Sequence, residues 1–256
     1  MLSILTDPWF YVLGLLVTFL IGFSKGAFGG GLAILGVPLL APVLGPLEAA
    51  ITTAYLVAVM DLFALSNFGP RHWSKRDMAW LVVGLLVGIA VGWGVFTLVD
   101  PRWIGLVIGT VTLAFAAQFF LMGERSLPTI PVMPSLALLA GSISGFTTFV
   151  AHAGSPPVAM YLMARRIDKT VFVATSIGVF LLGNYVKLIP YTQLALQHTR
   201  ALWAVLLLLP MVPVGVWVGV KLHERMDRRR LFFWCYVLLT IAAGKMVYSA
   251  LVSLLS

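Results

Sequence analysis

The chain contains one apolar segment that glycines interrupt, Ile21-Gly-Phe-Ser-Lys-Gly-Ala-Phe-Gly-Gly-Gly-Leu-Ala-Ile-Leu-Gly-Val-Pro38, with a single charged residue, Lys25. It lies inside apolar sequence that runs from Pro8 to Leu47, longer than the roughly 20 residues of helix that cross a bilayer. Glycine favours irregular backbone, and such backbone persists at membrane depth only where protein or a wet cavity covers it. The segment therefore predicts two half-helices that meet at a break. An intramembrane lysine costs at least about 2.5 kcal/mol and by default marks function, so we interpret the segment as the floor of an anion-binding site.

The composition extends this interpretation to the whole chain. The 256 residues are 61% hydrophobic and 10% charged, and several uncharged runs of spanning length predict an all-α polytopic membrane protein. We expect no separate soluble domain, because the loops are short, and no removable signal peptide. The single cysteine, Cys235, excludes an internal disulfide and a cysteine metal cluster. The basic residues that give the net charge of +8 cluster in short loops. Membrane orientation explains this distribution better than nucleic-acid binding does.

The glycine-broken segment is followed by three apolar runs, and the same order then recurs. The predicted first repeat, 1–127, holds a broken or re-entrant hairpin at 8–44 and spans at 47–68, 78–99 and 103–122. The predicted second repeat, 128–256, holds a hairpin at 132–164 and spans at 170–190, 201–220 and 231–252. Residue matches support the repeat, because Gly22-x-x-x-Gly26 lies 119 positions before Gly141-x-x-x-Gly145, and Asp61 lies 123 positions before Asn184.

Basic loops predict the orientation of the two halves. The chain has three basic loops, and the positive-inside rule places all of them in the cytoplasm. This requires that 132–164 turn back as a hairpin. By the repeat, 8–44 is then a hairpin as well. Each half then has an odd number of crossings, so the halves are inverted repeats. That architecture is typical of secondary transporters, which bind substrate near the midplane at broken helices. The loop residues are Arg71, His72, Lys75 and Arg76; Arg165, Arg166 and Lys169; and Lys221, Arg225, Arg228, Arg229 and Arg230.

The two breaks carry the candidate chemistry. Ser155 is a good helix N-cap and Pro156 a good first helical residue. Both helices that start after a break are expected to point free N–H groups and a positive dipole end into the protein centre, which suits a small oxyanion. The predicted substrate-binding residues are Ser24, Lys25, Gly29, Gly30, Gly31, Thr52, Thr53, His152, Gly154, Ser155, Thr175 and Ser176, with Thr147 and Thr148 as further donors.

Asp61 is the only acidic residue deep in a predicted span, where a carboxylate needs a partner or a proton. The hypothesis is that Asp61 pairs with Lys25 or carries a coupling proton, with Asn184 at the equivalent position of the second repeat. A structural partnership with Lys187 or Lys245 is the alternative.

Each candidate also has a purely structural interpretation. Glycines in membrane helices often serve close helix packing. Lys25 reaches an interface if its segment is one tilted span, and His152 serves equally as a hydrogen-bonded packing residue. Hydroxyl groups such as those of Thr52 and Thr175 commonly bond to their own helix backbone.

Two blocks of sequence resemble those of a known family. The first consists of Gly26-Ala-Phe-Gly-Gly-Gly-Leu32, Val37-Pro38 and Glu48-Ala-Ala-Ile-Thr-Thr53; the second consists of Gly141-Ser-Ile-Ser-Gly145, Gly154-Ser-Pro156 and Ala174-Thr-Ser176. They resemble the conserved blocks of the TauE/SafE (sulfite exporter, TSUP) family. Where that family usually has a glycine-rich second break, this chain has Thr147-Thr-Phe-Val-Ala-His152. The resemblance implies a multi-pass permease of the bacterial inner membrane that moves sulfite, sulfoacetate or related organosulfur and carboxylate anions, usually outward.

The leading hypothesis is a secondary transporter that exports small sulfur-containing anions by alternating access, without a cofactor or a bound metal. Its expected partners are the anion and the lipid bilayer, with a homodimer as one option and no nucleic acid. A permease for another carboxylate or inorganic anion, and a membrane scaffold without cargo, remain as alternatives. An intramembrane enzyme is the weakest hypothesis, because no histidine pair has zinc-ligand spacing and no Gly-x-Ser-x-Gly motif is present.

Overall fold

The structure is a computed structural model that describes residues 7–95, 106, 109–110, 112–114, 116–117, 120–121 and 129–255. Within these residues the chain is helical and contains no strand. The longer helices are α1 (Pro8–Phe28), α2 (Gly36–Leu44), α3 (Pro46–Leu65), α4 (Lys75–Val95), α5 (Pro134–Ala151), α6 (Ser155–Ala164), α7 (Lys169–Gln197), α8 (Thr199–Leu208), α9 (Met211–Arg225) and α10 (Arg228–Leu255). Short 3-10 helices at Leu32–Leu35 and Pro70–His72 precede α2 and α4.

Five of these helices are long and apolar enough to cross a membrane, namely α1, α3, α4, α7 and α10. The bent pair of α8 and α9, which meet at 48°, forms a sixth candidate span. Large apolar side chains such as Trp9, Trp217 and Leu251 are exposed on the outside of the bundle, as expected for a surface that contacts lipid rather than water. The protein is therefore an all-helical membrane protein.

The observed helices differ from the predicted spans at two places. The predicted span 170–190 ends at a proline, but α7 continues through Pro190 to Gln197. The predicted span 201–220 is two helices, because the chain turns at Leu209 and Pro210 between α8 and α9; proline cannot supply the helical N–H bond. Most of the predicted span 103–122, and the end of the span 78–99, lie outside the described residues.

Two helices end at the glycine-rich and histidine-containing breaks that the sequence singled out. The first, α1, ends at Phe28, and Gly29, Gly30 and Gly31 follow with φ values of 78°, 122° and 124°. These positive φ values are readily adopted only by glycine. The second, α5, ends at Ala151, and α6 begins at Ser155. Between them His152 takes the left-handed conformation with φ 53°, so each break reverses or redirects the chain within apolar sequence.

Close helix packing joins each broken segment to a helix from the other half of the chain. Helix α1 packs along α9, and α5 packs along α4. A Cβ atom added at Gly26 would lie 2.3 Å from the carbonyl oxygen of Val216, and one at Gly145 would lie 2.0 Å from that of Leu85. The Gly-x-x-x-Gly pairs therefore serve direct backbone contact between helices, as small residues do in membrane bundles. A third pair, α3 and α7, is also in contact.

The three basic loops contact one another, so they lie at one end of the bundle. The backbone N–H of Ser74, in the first loop, donates to Thr175 Oγ1 near the start of α7 at 2.9 Å. Asp77 at the start of α4 forms an ion pair with Arg165 after α6 at 3.0 Å. Lys169 donates to the carbonyl oxygen of His223 at the end of α9 at 2.9 Å. We call this end of the bundle the basic end.

Candidate functional site

The two breaks are built by the same helix-ending hydrogen bonds. After α1, the N–H of Gly29 donates to the Lys25 carbonyl and that of Gly30 to the Ser24 carbonyl, both at 3.1 Å. After α5, the N–H of His152 donates to the Thr148 carbonyl, and the next N–H reaches back one residue further, both at 3.2 Å. This is the pattern of a helix C-terminus closed by a left-handed residue. A histidine therefore occupies in the second break the place that a glycine occupies in the first.

A buried ion pair joins α1 to the middle of α3. Lys25 is 4% exposed and Asp61 is 0% exposed, and Lys25 Nζ lies 2.6 Å from Asp61 Oδ1. The side-chain amide of Asn184 on α7 donates to Asp61 Oδ2 at 2.7 Å. The Lys25 ammonium also lies 5.3 Å from the centre of the Phe180 ring, within range of a cation–π contact. Lys25 is thus neutralised inside the bundle and does not reach a membrane interface.

A second buried lysine lies beside the second break. Lys187 on α7 is 1% exposed, and its Nζ lies 3.2 Å from His152 Nδ1. It also lies 3.4 Å from both the carbonyl oxygen and the hydroxyl oxygen of Thr148. The other ring nitrogen of His152 lies 3.2 Å from the Tyr191 hydroxyl. Among the ion pairs between described residues, Lys187 has no carboxylate partner.

Both lysines line one cavity between the breaks, which we call the central cavity. It is small and partly open to the outside. Apolar walls come from α1, α3 and α7, and the polar groups converge from the two breaks. Its lining residues are Ile21, Lys25, Gly30, Gly31, Ala33, Val57, Thr148, His152, Gly154, Ser155, Phe180, Asn184 and Lys187. A cavity with apolar walls and a few convergent polar groups is the usual form of a small-ligand site.

A second cavity adjoins the central one and is more apolar. The two share Gly30, Gly31, Ser155 and Phe180 in their walls, and they are of similar size. It extends towards α10, whose Cys235 contributes to the lining. The remaining lining residues are Phe28, Gly29, Ala159, Phe172, Ser176, Leu238 and Leu239.

The structure brings most, but not all, of the predicted binding residues to these cavities. Lys25, Gly30, Gly31, His152, Gly154 and Ser155 line the central cavity, and Gly29 and Ser176 line its neighbour. Four residues line neither cavity. Ser24 Oγ donates to the Ile21 carbonyl and accepts from the Leu32 N–H. Thr52 Oγ1 donates to the Ala201 carbonyl at 3.4 Å. Thr175 Oγ1 accepts from Ser74 at the basic end, and Thr53 is buried against Gly36.

The helix that follows the second break starts one residue earlier than predicted. Ser155 is the first residue of α6 and Gly154 is its N-cap, with no side-chain capping hydrogen bond. Pro156 and Pro157 follow, and proline carries no N–H. This helix start therefore offers fewer free amide donors than the sequence pattern implied, and more of the positive character of the cavity comes from the lysine side chains.

Lys187 is the principal cavity residue that sequence reasoning did not assign to the site. The sequence analysis names this lysine only as an alternative partner of Asp61, three residues before the predicted end of its span at Pro190. The continuation of α7 to Gln197 places it well inside the helix instead. It lies three residues after Asn184 and four before Tyr191, spacings that put all three side chains on one helix face. This spacing of Asn184, Lys187 and Tyr191 is the sequence signal that could have assigned Lys187 to the site.

The arrangement offers cations and hydrogen-bond donors to an anion rather than ligands to a metal. Within the described ranges, no group of three or more histidine, cysteine, aspartate or glutamate side chains is placed to hold a metal ion.

A family model described as "Sulfite exporter TauE/SafE" matches residues 14–246, which is nearly the whole chain. No curated protein and no solved structure gives a significant match.

Proposed function

The chain belongs to the TauE/SafE sulfite exporter family, a family of membrane transporters for sulfite-like anions, and we propose that it is a secondary transporter that exports a small sulfur-containing anion such as sulfite or sulfoacetate. The anion binds in the central cavity between the two breaks. One observation carries this proposal: among the described residues the buried amino group of Lys187 has no carboxylate partner, and it lies in the wall of a cavity. Its charged ammonium form is costly to bury unless a ligand compensates the charge.

The charge balance of the cavity favours an anion over a cation or a neutral sugar. The Lys25 and Asp61 charges cancel at 2.6 Å, and Lys187 adds one positive charge. At about 4 Å and an effective dielectric constant near 20, one opposite charge interacts with it by about 4 kcal/mol. His152, Thr148 and Ser155 add polar groups around the same space. A small oxyanion uses all of these groups at once.

Two inverted repeats, 1–127 and 128–256, are supported by the pattern of helix contacts. Exchanging the halves exchanges the α1–α9 pair with the α4–α5 pair and leaves the α3–α7 pair in place. Asp61 and Asn184, at equivalent positions 123 residues apart, bond to each other, as expected for equivalent residues on a pseudo-twofold axis. This axis passes through the central cavity, where transporters of this architecture bind their substrate.

Alternating access is supported by ion clusters at the two ends of the bundle. At the basic end, Asp77 accepts hydrogen bonds from Tyr161 at 2.6 Å and Arg165 at 3.0 Å. At the opposite end, where α3 begins, Glu48 lies 3.6 Å from Arg200. The first cluster joins the second broken segment to the first half of the chain. Arg200 joins the second half to α3 through Glu48 and to the first broken segment through the Val43 carbonyl, to which it donates at 3.2 Å. We infer that the two clusters open in turn as the halves rock, and that the tighter basic end is the closed one here.

The proposed placement is a bacterial inner membrane with the basic end in the cytoplasm. Single cysteines at Arg71 and Arg229, in a Cys235→Ser background, are then modified by a membrane-impermeant maleimide from the same side of sealed vesicles. Modification of the two positions from opposite sides contradicts the topology.

The function is tested by thermal unfolding of the purified protein with sulfite, sulfoacetate and thiosulfate. A ligand at 100 times its dissociation constant stabilises the native state by about 2.7 kcal/mol. Truncating one member of a buried charge contact costs about 2 kcal/mol or more, so Lys187→Met should weaken binding about 30-fold or more. Lys245→Met, a lysine of α10 outside both cavities, is the matched control. Failure of all three anions to bind, or to cross liposome membranes, contradicts the proposal.

A further inference from the structure

We propose that the central cavity binds a dianion together with one proton, and that His152, beside Lys187, holds that proton. The inference rests on the proposed function, because it concerns the anion of the same cavity. It specifies the charge of that anion and the group that carries the proton.

The contacts of Lys187 and His152 bear on the protonation states of the two side chains. Lys187 Nζ has three acceptors around it: the carbonyl and hydroxyl oxygens of Thr148 and Nδ1 of His152. Three acceptors match the three N–H donors of an ammonium group. We assign Nδ1 as an acceptor from an ammonium group, so that the ring proton is on Nε2, where it donates to the Tyr191 hydroxyl at 3.2 Å. In this assignment the imidazole is neutral and the lysine charged.

The His152 ring cannot take up a second proton while Lys187 keeps this position. Protonation of His152 would place an Nδ1–H donor 3.2 Å from the ammonium nitrogen, with two donors and two like charges facing each other in a buried site. Like charges at this distance disfavour the charged form of either group. His152 therefore does not take up a proton on Nδ1 while the Lys187 ammonium group donates to that nitrogen.

The charge of the cavity varies only at the pair formed by Lys187 and His152, because the other described ionisable groups nearby are neutralised or uncharged. Lys25 from α1 and Asp61 from α3 neutralise each other at 2.6 Å. Tyr191 from α7 contacts the ring itself, and Tyr185 from the same helix lies near enough to Asp61 to interact electrostatically. The cavity carries one positive charge with a neutral His152 and two with a protonated one. The first state matches a monoanion and the second a dianion.

A bound anion makes room for the proton because Lys187 is loosely held. Its contacts of 3.2 and 3.4 Å are longer than ordinary charge-assisted hydrogen bonds of about 2.7–2.9 Å. An anion oxygen at that shorter distance draws the ammonium away from His152. Nδ1 then takes a proton from a buffer acid of the bulk solution, whose conjugate base stays in solution, and the new N–H bond donates to a second anionic oxygen. By linkage, the proton raises the affinity for the anion by the same factor as the anion raises proton affinity.

The direction of transport is compatible with this stoichiometry. A dianion that leaves with one proton still carries one net negative charge outward. An inside-negative membrane potential therefore continues to favour its export.

Titration calorimetry of the purified full chain in two buffers of different ionisation enthalpy counts the protons taken up per anion. The probes are sulfoacetate, a dianion, and methanesulfonate, which has the same sulfonate group but one charge. We expect uptake of about one proton with sulfoacetate, and an affinity that falls about tenfold per pH unit on the alkaline side. Methanesulfonate should bind without proton uptake.

The variant His152→Gln retains hydrogen-bonding capacity but cannot titrate. It should lose the proton uptake and reduce the preference for sulfoacetate over methanesulfonate about tenfold or more. Tyr191→Phe should shift the pH at which uptake occurs and keep its stoichiometry. If His152→Gln does not fold, the proton counts of the unmodified chain decide alone.

The outcomes separate the two proposals. Sulfoacetate binding without proton uptake, equal uptake with both anions, or uptake that persists in His152→Gln overturns the present inference and leaves the transport proposal standing. Failure of sulfoacetate, methanesulfonate, sulfite and thiosulfate all to bind overturns both.

Discussion

Replacing Asp61 by asparagine should destabilise the protein and at the same time tighten its hold on anions. Asp61 is fully buried and neutralises the Lys25 ammonium, which is 4% exposed. Asp61→Asn keeps the shape and the hydrogen-bonding capacity but leaves that ammonium without a counter-charge. Breaking a buried pair from one side costs about 3–5 kcal/mol. The charge of the central cavity simultaneously rises from one to two.

The energy is measured by a double-mutant cycle on unfolding in detergent. Lys25→Met with Asp61→Leu removes both charges, and such replacements are neutral or stabilising by about 1–4 kcal/mol. The two single changes should therefore be strongly non-additive. The matched control is Glu224→Gln, which breaks the Lys221–Glu224 pair of 2.9 Å on the exposed surface, where such pairs contribute about 0–1 kcal/mol.

Anion binding by the Asp61→Asn protein provides the second half of the test. Sulfoacetate should stabilise this variant more than it stabilises the unmodified chain, because the ligand compensates the charge that the substitution exposed. A variant as stable as the unmodified chain, or one that binds the anion more weakly, would refute the assignment of the Lys25–Asp61 pair as the neutral wall of the cavity.

Three further predictions concern packing, access and pH. Gly26→Val should destabilise the chain by about 1–3 kcal/mol or more in detergent unfolding, because its Cβ would collide with the backbone of α9, whereas Gly94→Val, with open space around it, should not. Asp77→Asn should loosen the basic end and speed the modification of buried Cys235 by a maleimide; an unchanged rate contradicts a closing role for that cluster. Partial burial raises the pKa of Asp168, but the backbone N–H groups of the first turn of α7 lower it below its usual range. Its contribution to stability is therefore present above the unfolded pKa and lost as the pH falls through the folded pKa, and Asp168→Asn should remove this part of the acid dependence of unfolding.

The breaks could be predicted from the sequence because their cause is local. Gly29, Gly30 and Gly31 adopt conformations that other residues resist, and the Gly-Ser-Pro-Pro run that begins at Gly154 signals a helix start wherever it occurs. The partnership of Asp61 with Lys25 was also accessible, since each charge is costly alone in a membrane. In these places the structure depends on backbone preferences within a few residues, or on the high cost of an unpaired charge in a membrane.

The positions of the hydroxyl groups could not be predicted, because most residues around α3 and α7 are apolar. The hydrophobic period of such a helix does not identify its inner face. Thr52 and Thr175 are predicted binding residues, but in the structure they bond to Ala201 and Ser74 instead. Lys187 was missed for a related reason. Proline is tolerated inside membrane helices where neighbours satisfy the freed backbone groups, so Pro190 did not mark the end of α7.

The two breaks share one backbone pattern, and their difference in side chains gives the cavity its charge. Gly29 closes α1 at no steric cost, whereas His152 adopts the same left-handed conformation as a residue with a Cβ, which costs roughly 1–2 kcal/mol. Strain of this kind persists where the surroundings compensate it, and it concentrates at functional sites. Here both ring nitrogens of His152 are engaged, by Lys187 and by Tyr191. The first break thus lies beside Lys25, whose charge Asp61 cancels. The second lies beside Lys187 and the ring of His152, so the proposed response to an anion is confined to the side of the cavity that the second break forms.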